Sequence, residues 1–146
     1  MTNPTFFTEP GAPLIRPWQG TAEALLEAAQ GVAPLWWLRG SRMRTKPGLM
    51  DEWAAAAQFP PHFGGTWDAL RDALADLPTG GTFLVLEAEQ WLQEAPPAEA
   101  AMLLAVLRDV RNDLAPKPFH LVFQAEPAQY DSLVEGLRAL GILDTD

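Results

Sequence analysis

Residues 59–74 read FPPHFGGTWDALRDAL, and this stretch decides how the whole chain is interpreted. Two prolines fix the backbone and two glycines let it bend sharply, which predicts a tight turn. Thr66 then stands where a helix N-cap is expected, so we predict a helix from Trp67 to about Leu77. Its apolar residues recur at helical spacing and predict a buried side: Trp67, Leu70, Leu74 and Leu77.

The same helix carries a row of aspartates on another side. Asp68, Asp72 and Asp76 lie four residues apart and therefore share one stripe. Like charges at this spacing repel each other and cost about 0.2–0.5 kcal/mol per pair. Only Asp68, near the positive end of the helix dipole, regains part of that cost. Such a stripe is consistent with a partner-binding site, and the alternative is the solvated side of an amphipathic helix.

This loop and helix resemble those of barstar, a family of bacterial proteins that inhibit guanyl-specific ribonucleases of the barnase type. In that family a proline–aromatic–glycine loop leads into a helix with the pattern Leu-Asp-Ala-Leu-Trp-Asp. Residues 67–72 here read Trp-Asp-Ala-Leu-Arg-Asp. Three further segments match the family in order, with strands at 82–87 and 119–123 and a helix at 103–114. The resemblance covers about residues 35–125.

Short apolar runs alternate with helical patterns along the chain, which predicts an α/β fold with a small parallel sheet. Strands are expected at residues 35–38, 82–88 and 118–124. Further helices are expected at residues 21–30, 47–58, 98–114 and 127–140, with a helical turn at 90–92. On the 98–114 helix we expect Met102 to face inward. We therefore expect a three-stranded parallel sheet packed with helices, as the barstar resemblance also implies.

The length of 146 residues predicts a single domain. Its barstar-like core is expected at about residues 35–125, with a C-terminal helix in residues 126–146. Residues 1–34 are expected to form an N-terminal extension, an irregular proline- and glycine-rich arm followed by a helix. Most of the six tryptophans are expected in the core. Trp36 and Trp37 are adjacent in a strand and must point to opposite faces.

The net charge of −9 narrows the possible partners. An acidic protein repels the phosphates of nucleic acid, whereas it attracts a basic protein. The absence of cysteine excludes disulfides, thiolate metal sites and cysteine nucleophiles. Neither a signal peptide nor a membrane span is evident, so we expect a cytoplasmic protein. The one basic cluster, Arg42, Arg44 and Lys46, is interpreted as a solvated loop, with a phosphate or acidic-partner contact as the alternative.

Two histidines, His62 and His120, are the candidates for chemistry near neutral pH. His62 could act as a general base with Asp68 or Asp72, but the sequence places no nucleophile beside it. The two histidines lack metal-ligand spacing, and the paired glycines lack a phosphate-loop pattern. We therefore expect neither a metal nor a cofactor, and a binding protein instead of an enzyme. His120 lies in a predicted strand and is expected to be packed or hydrogen-bonded in the core.

The barstar resemblance implies that the loop and the acidic helix plug a nuclease active site. Asp72 matches the acid that occupies the phosphate site, and Asp68 matches the acid one turn earlier. Asp109 matches an acid on the neighbouring helix that adds a charge contact. His62 stands in place of the loop tyrosine, and Gly64 keeps the family's loop glycine. The candidate set of partner-binding residues is completed by Phe63, Arg71 and Asp76.

Arg71 departs from the family, because the interface tryptophan stands at this position there. Its spacing allows an ion pair with Asp68, and its charge opposes a strongly basic active site unless the partner supplies an acid. We therefore expect an inhibitor of a basic ribonuclease or a related toxin. The alternative is a barstar-like interaction module with no nuclease target. The test is whether Asp68, Asp72 and Asp109 converge on one exposed surface, with Asp72 neither buried nor paired internally. The sequence leaves the oligomeric state open.

Overall fold

The strands of this protein form one fully parallel sheet, in a computed structural model that describes residues 12–142. The strands are β1 Ile15–Gln19, β2 Leu35–Arg39, β3 Gly81–Leu86 and β4 Phe119–Ala125. The helices are α1 Ala22–Ala28, α2 Lys46–Ala57, α3 Trp67–Ala75, α4 Ala88–Glu94, α5 Pro97–Leu114 and α6 Pro127–Ala139. A short 3-10 turn, Gly40–Arg42, follows β2. The spatial order of the strands is β1-β4-β3-β2.

The α/β class is confirmed, but the expectation of three strands is wrong because β1 adds a fourth beside β4. Pro17 lies in the middle of β1. Proline is excluded from central strands because it has no backbone N–H to donate. The Leu121 amide donates to the Leu14 carbonyl at 2.7 Å. Along a strand the backbone N–H and C=O groups of successive residues point alternately to the two neighbouring sides. Because the Leu14 backbone faces β4, the backbone nitrogen of Pro17, three residues later, points to the open edge of the sheet. Pro17 therefore removes no hydrogen bond from the sheet, and an edge strand tolerates it.

The larger core lies on one face of the sheet, under α2 to α6. Phe83 on β3 is fully buried, and its ring lies 4.7 Å from Trp36 and 4.9 Å from Trp53, centroid to centroid. The other face carries a smaller cluster in which α1 packs on β3 and β4: Leu25, Ala29, Leu84, Leu86 and Val122. The inner strand β3 is therefore buried on both faces, as its sequence, apolar from Phe83 to Leu86, predicts.

The two adjacent tryptophans of β2 point to opposite faces, as predicted. Trp36 stacks on Phe83, whereas Trp37 is 44% exposed on the other side of the strand. His120 on β4 also confirms its prediction, since it is buried and its Nε2 lies 2.9 Å from the Thr82 hydroxyl. Thr82 is the residue of β3 that pairs in register with His120, so the two polar groups satisfy each other inside the sheet.

Most helix boundaries agree with the sequence because local capping sets them. Thr21 accepts a hydrogen bond from the Ala24 amide at 3.1 Å at the start of α1. The helical turn expected at residues 90–92 is a full helix, α4. The prediction for Met102 is wrong, because its side chain is 45% exposed. The buried stripe of α5 begins with Ala100 and continues with Leu103, and Met102 lies about 100° around the helix axis from Leu103.

Candidate partner-binding surface

The loop before α3 is held by a pair of phenylalanine rings. The rings of Phe59 and Phe63 lie 4.9 Å apart and are tilted, and both side chains pack against the main core. The Phe63 amide donates to the Pro60 carbonyl at 2.9 Å and closes a tight turn. His62 lies within this turn and is exposed. The turn therefore presents His62 outward, while Phe63 serves mainly to hold the loop to the core.

Only one of the two loop glycines is required by the backbone. Gly65 has φ of +69°, a conformation that side chains rarely adopt. Gly64 has no such strain, and a Cβ added there would approach no atom closer than the Ala69 Cβ at 3.9 Å. The turn therefore needs Gly65, and the fold itself does not require glycine at residue 64.

We expect Gly64→Ala to leave the free energy of unfolding unchanged within about 1 kcal/mol, because the site has both room and an ordinary φ. If a partner approaches the loop closely, the added methyl group weakens its binding nonetheless. Urea unfolding measures the first quantity and titration calorimetry the second. A large loss of stability would contradict the backbone argument.

Helix α3 has a buried apolar side and an exposed side that carries its acids. Thr66 accepts from the Ala69 amide at 3.0 Å and begins the helix as predicted. Leu70 and Leu74 are fully buried, whereas Asp68 and Asp72 are exposed. Neither of these two carboxylates has an ion-pair or hydrogen-bond partner among residues 12–142. Asp72 is therefore neither buried nor paired internally.

The third acid of the stripe lies outside the helix. Helix α3 ends at Ala75, two residues before the predicted end, and Asp76 forms its C-cap. Asp76 is exposed, but it lies at the negative end of the helix dipole, where a carboxylate is disfavoured. The stripe on the helix proper therefore consists of Asp68 and Asp72.

Arg71 pairs with α5 and not with Asp68 as its spacing suggested. Its Nε lies 3.8 Å from Asp109 Oδ2, and its Nη2 lies 3.5 Å from Asp113 Oδ2. Both contacts are ion pairs longer than a hydrogen bond, and the Arg71 Nε has no hydrogen-bond partner. The physical reason is that α3 packs along α5, which brings Arg71 within reach of that helix. Asp113 was not among the predicted site residues, although it follows Asp109 by the same four residues that separate Asp68 from Asp72.

Two acids of α5 contact the guanidinium of Arg71 on α3. Asp68 is the helical neighbour of Arg71 at i,i+3, and Arg71 in turn contacts Asp109 and Asp113. We call Asp68, Asp72, Asp109 and Asp113, with Arg71, the acidic surface. The exposed fractions of the Arg71, Asp109 and Asp113 side chains are 43%, 61% and 48%. Exposed pairs of this kind contribute about 0–1 kcal/mol, so an incoming partner can replace them at small cost.

A second cation lies at the start of α3. The Lys46 ammonium lies 5.5 Å from the centroid of the Trp67 ring, a cation–π distance. Lys46 is the first residue of α2, so this contact links the starts of the two helices. The expectation that Lys46 belongs to a solvated loop is therefore wrong.

Three grooves of the described residues, 12–142, lie at the edge of β2 and at the ends of β3 and β4, and His62 lines none of these three. Within the same residues, no group of three or more histidines and carboxylates is arranged to hold a metal ion. Between residues 12 and 142, no helix has the length and apolar character needed to cross a bilayer.

A family model described as Barstar (barnase inhibitor) matches residues 34–126. This chain belongs to the barstar family. The match begins one residue before β2 and ends one residue after β4, so it contains three strands and α2 to α5. Strand β1 and helices α1 and α6 lie outside the match. This explains why a barstar-like sheet of three strands was expected. No individual curated protein matches the chain closely enough to count as a relative.

Membership in the barstar family bears on function in general terms. The family is one of barnase inhibitors and not of enzymes, so a ribonuclease is the general class of partner that it implies. The loop and α3 lie inside the matched residues, as does the segment of α5 that carries Asp109 and Asp113.

Proposed function

We propose that this protein inhibits a basic ribonuclease, or a related toxin, by covering its active site with residues 62–64 and the acidic surface. The observation that carries the proposal is Asp72, an exposed carboxylate without an internal partner on the acidic helix of a barstar-family chain. An unpaired carboxylate is free to bind a partner cation, and nothing in the fold requires it there.

The proposed mechanism is occlusion by charge mimicry. A ribonuclease holds the RNA phosphate with cationic side chains, and a carboxylate can accept hydrogen bonds from the same groups. Asp72 would take the place of the phosphate, and Asp68 and Asp109 would contact cations around it. The net charge of −9 would speed the encounter with a basic protein. No bond is made or broken in this mechanism, and it requires neither a metal nor a cofactor. We place this activity in the cytoplasm, where it would protect cellular RNA.

Arg71 sets a condition on the partner. Its guanidinium lies among carboxylates that would face a basic active site. A partner that is basic throughout would repel Arg71, whereas a partner with one acid opposite Arg71 would gain a contact there. The Arg71 pairs with Asp109 and Asp113 also reduce the negative charge that those two acids present.

We expect Arg71→Ala to increase the association rate with a uniformly basic partner by roughly two- to tenfold at low salt, because it removes an opposing charge. The matched control is Arg108→Ala, which changes the net charge equally at an exposed position of α5 outside the acidic surface. Stopped-flow association at two ionic strengths measures both variants. Weaker binding by Arg71→Ala alone would show instead that the partner carries an acid opposite Arg71.

The experiment that tests the proposed function is a pull-down from the source cell's lysate with two baits, the unchanged protein and Asp72→Ala. We expect a basic nuclease to be retained by the first bait and lost by the second. The retained protein is then assayed for RNA cleavage with and without added inhibitor. Equal retention by both baits would place the interface elsewhere, and a retained nuclease that stays fully active would contradict inhibition.

A second candidate function is a barstar-like interaction module with no nuclease target. The feature that favours it is an exposed aromatic patch at the open edge of β2. The Arg39 guanidinium lies 5.4 Å from the centroid of the half-exposed Trp37 ring, and the Glu52 carboxylate accepts the Arg39 amide at 2.8 Å. Exposed tryptophan and arginine are enriched where proteins bind proteins. A partner lost by Trp37→Ala and kept by Asp72→Ala would favour this function.

A further inference from the structure

A groove of about 550 Å³ opens at the carboxyl ends of β3 and β4, away from the residues assigned to the acidic surface. Glu87 follows β3, Glu126 follows β4, and residues of α4 and α6 line the sides of the groove. Ligands of parallel sheets bind in the crevice beyond the carboxyl ends of the strands. Three carboxylates line the groove, together with glutamine amides and one arginine: Glu87, Glu89, Glu126, Gln90, Gln124 and Arg44.

The floor of the groove is held by Gln124. Its side chain is buried, and its Nε2 donates to the Gly20 carbonyl at 2.7 Å. Its Oε1 accepts the Glu87 amide at 2.8 Å. One side chain of β4 therefore ties together the segments that follow β1 and β3, so the groove is built on fixed backbone.

Glu89 is the feature of this groove that the fold does not explain. Its residue is only 7% exposed, and its Oε1 has no hydrogen-bond partner among residues 12–142. Burial raises the pKa of Glu89, and the charges of Glu87 and Glu126 raise it further, while a hydrogen bond with its own backbone lowers it. A buried carboxylate with one oxygen left without a partner is costly, so this position favours either a proton or a nearby cation.

The shape of the site favours an organic cation over a metal ion. Among residues 12–142, these carboxylates do not converge in an arrangement that could hold a metal. A guanidinium is planar, weakly hydrated and able to donate to several oxygens at once. The chain's own Arg44 donates to the Gln90 Oε1 at this groove, so its lining already accepts a guanidinium donor.

We propose that this groove binds a small guanidinium compound, with Glu89 as its buried anionic anchor and Glu87 and Glu126 as outer carboxylates. The volume of the groove suits a molecule of the size of arginine. The cation would lie against the Glu89 side chain and offset the repulsion among the three acids. This site is independent of the proposed nuclease inhibition, since none of its residues belongs to the acidic surface.

The buried carboxylate also predicts a pH dependence of stability. Because the pKa of Glu89 is raised, the folded state binds its proton more tightly than the unfolded state does. Its contribution to the free energy of unfolding therefore falls as the pH rises from the ordinary carboxyl pKa through the raised one. Glu87, Glu126 and Arg44 face the same groove and are present in both the unchanged protein and the variant. We expect Glu89→Gln to flatten the pH dependence of urea unfolding, and an unchanged slope would contradict this assignment.

The binding test uses agmatine as the probe and the full chain at neutral pH and low salt, measured by titration calorimetry. We expect Glu89→Gln to weaken agmatine binding by roughly tenfold or more, because it removes a charged acceptor. The matched control is Glu94→Gln on the same helix, which lies outside the groove and should change the affinity less than about twofold. Putrescine, which lacks the guanidinium, should bind several times more weakly than agmatine.

A second variant, at an exposed residue, tests agmatine binding without changing a buried side chain. Glu126→Gln lies at the exposed rim and should weaken agmatine binding by roughly two- to fivefold while leaving the melting temperature unchanged. The proposal is overturned if the unchanged protein shows no agmatine binding up to about 20 mM. It is also overturned if Glu89→Gln, shown to be folded by circular dichroism, binds agmatine as tightly as the unchanged protein, or if putrescine binds equally well.

Discussion

Replacing Asp72 by alanine is expected to weaken binding to the proposed nuclease partner by about 2–5 kcal/mol, roughly thirtyfold to several thousandfold. The reason is that a desolvated nuclease cation would lose the carboxylate that pairs with it and remain buried without a partner. Most of the change should appear in the dissociation rate, because contacts made after docking govern it. Surface plasmon resonance with the purified nuclease measures both rates.

The same substitution should leave folding intact or slightly improved. Asp72 is exposed and has no partner within residues 12–142, and alanine has the higher helix propensity. Its removal also ends the i,i+4 repulsion with Asp68. The matched control is Asp131→Ala, an equal charge change at an exposed position of α6. A melting temperature that falls by many degrees, or an affinity loss no larger than that of the control, would contradict the role given to Asp72.

Replacing Gly80 by alanine is expected to lower the free energy of unfolding by about 2–5 kcal/mol. Gly80 has φ of +67° and is buried in the turn that joins α3 to β3. A Cβ at this position would overlap the carbonyl oxygen of Pro118, a backbone atom that accepts the Gly81 amide at 2.7 Å. The clash cannot be relieved by a side-chain rotation, so the turn itself must shift. Urea unfolding at constant pH measures the loss.

Gly65 provides the matched control for this prediction. Its φ of +69° is nearly the same as that of Gly80, but a Cβ there would meet no atom within 4 Å. Gly65→Ala should therefore cost only the strain of the left-handed conformation, about 1–2 kcal/mol. The difference between the two variants isolates the overlap with Pro118. Equal losses would show that backbone conformation alone makes Gly80 necessary.

The parts of the structure that were predictable are those in which neighbouring residues decide the outcome. Thr21 and Thr66 cap their helices because the hydroxyl and the amide that it accepts are three residues apart. The buried strand β3 was recognisable because six consecutive residues suit the interior of a parallel sheet. The loop and α3 were also sufficient to indicate the barstar family, which the family match over residues 34–126 confirms.

The ion-pair partners of Arg71 could not be predicted from the spacing of residues within one helix. Within α3 the available partner is Asp68, and the pair was expected on that basis. Only the packing of α3 along α5 decides that Arg71 meets Asp109 and Asp113, which follow it by some forty residues in the chain. Met102 was misplaced for the same reason, since the side of α5 that packs inward depends on the neighbouring elements.

The sequence by itself therefore determined the local conformations, the α/β class, the family and the exposed acids of α3, because each depends on spacing along one segment. The tertiary structure decided which segments meet. It placed β1 at the open edge where Pro17 loses no hydrogen bond, set Arg71 of α3 against two acids of α5, and buried Glu89 at the ends of β3 and β4. These features depend on contacts between residues far apart in the chain, and no periodicity within a single segment encodes them.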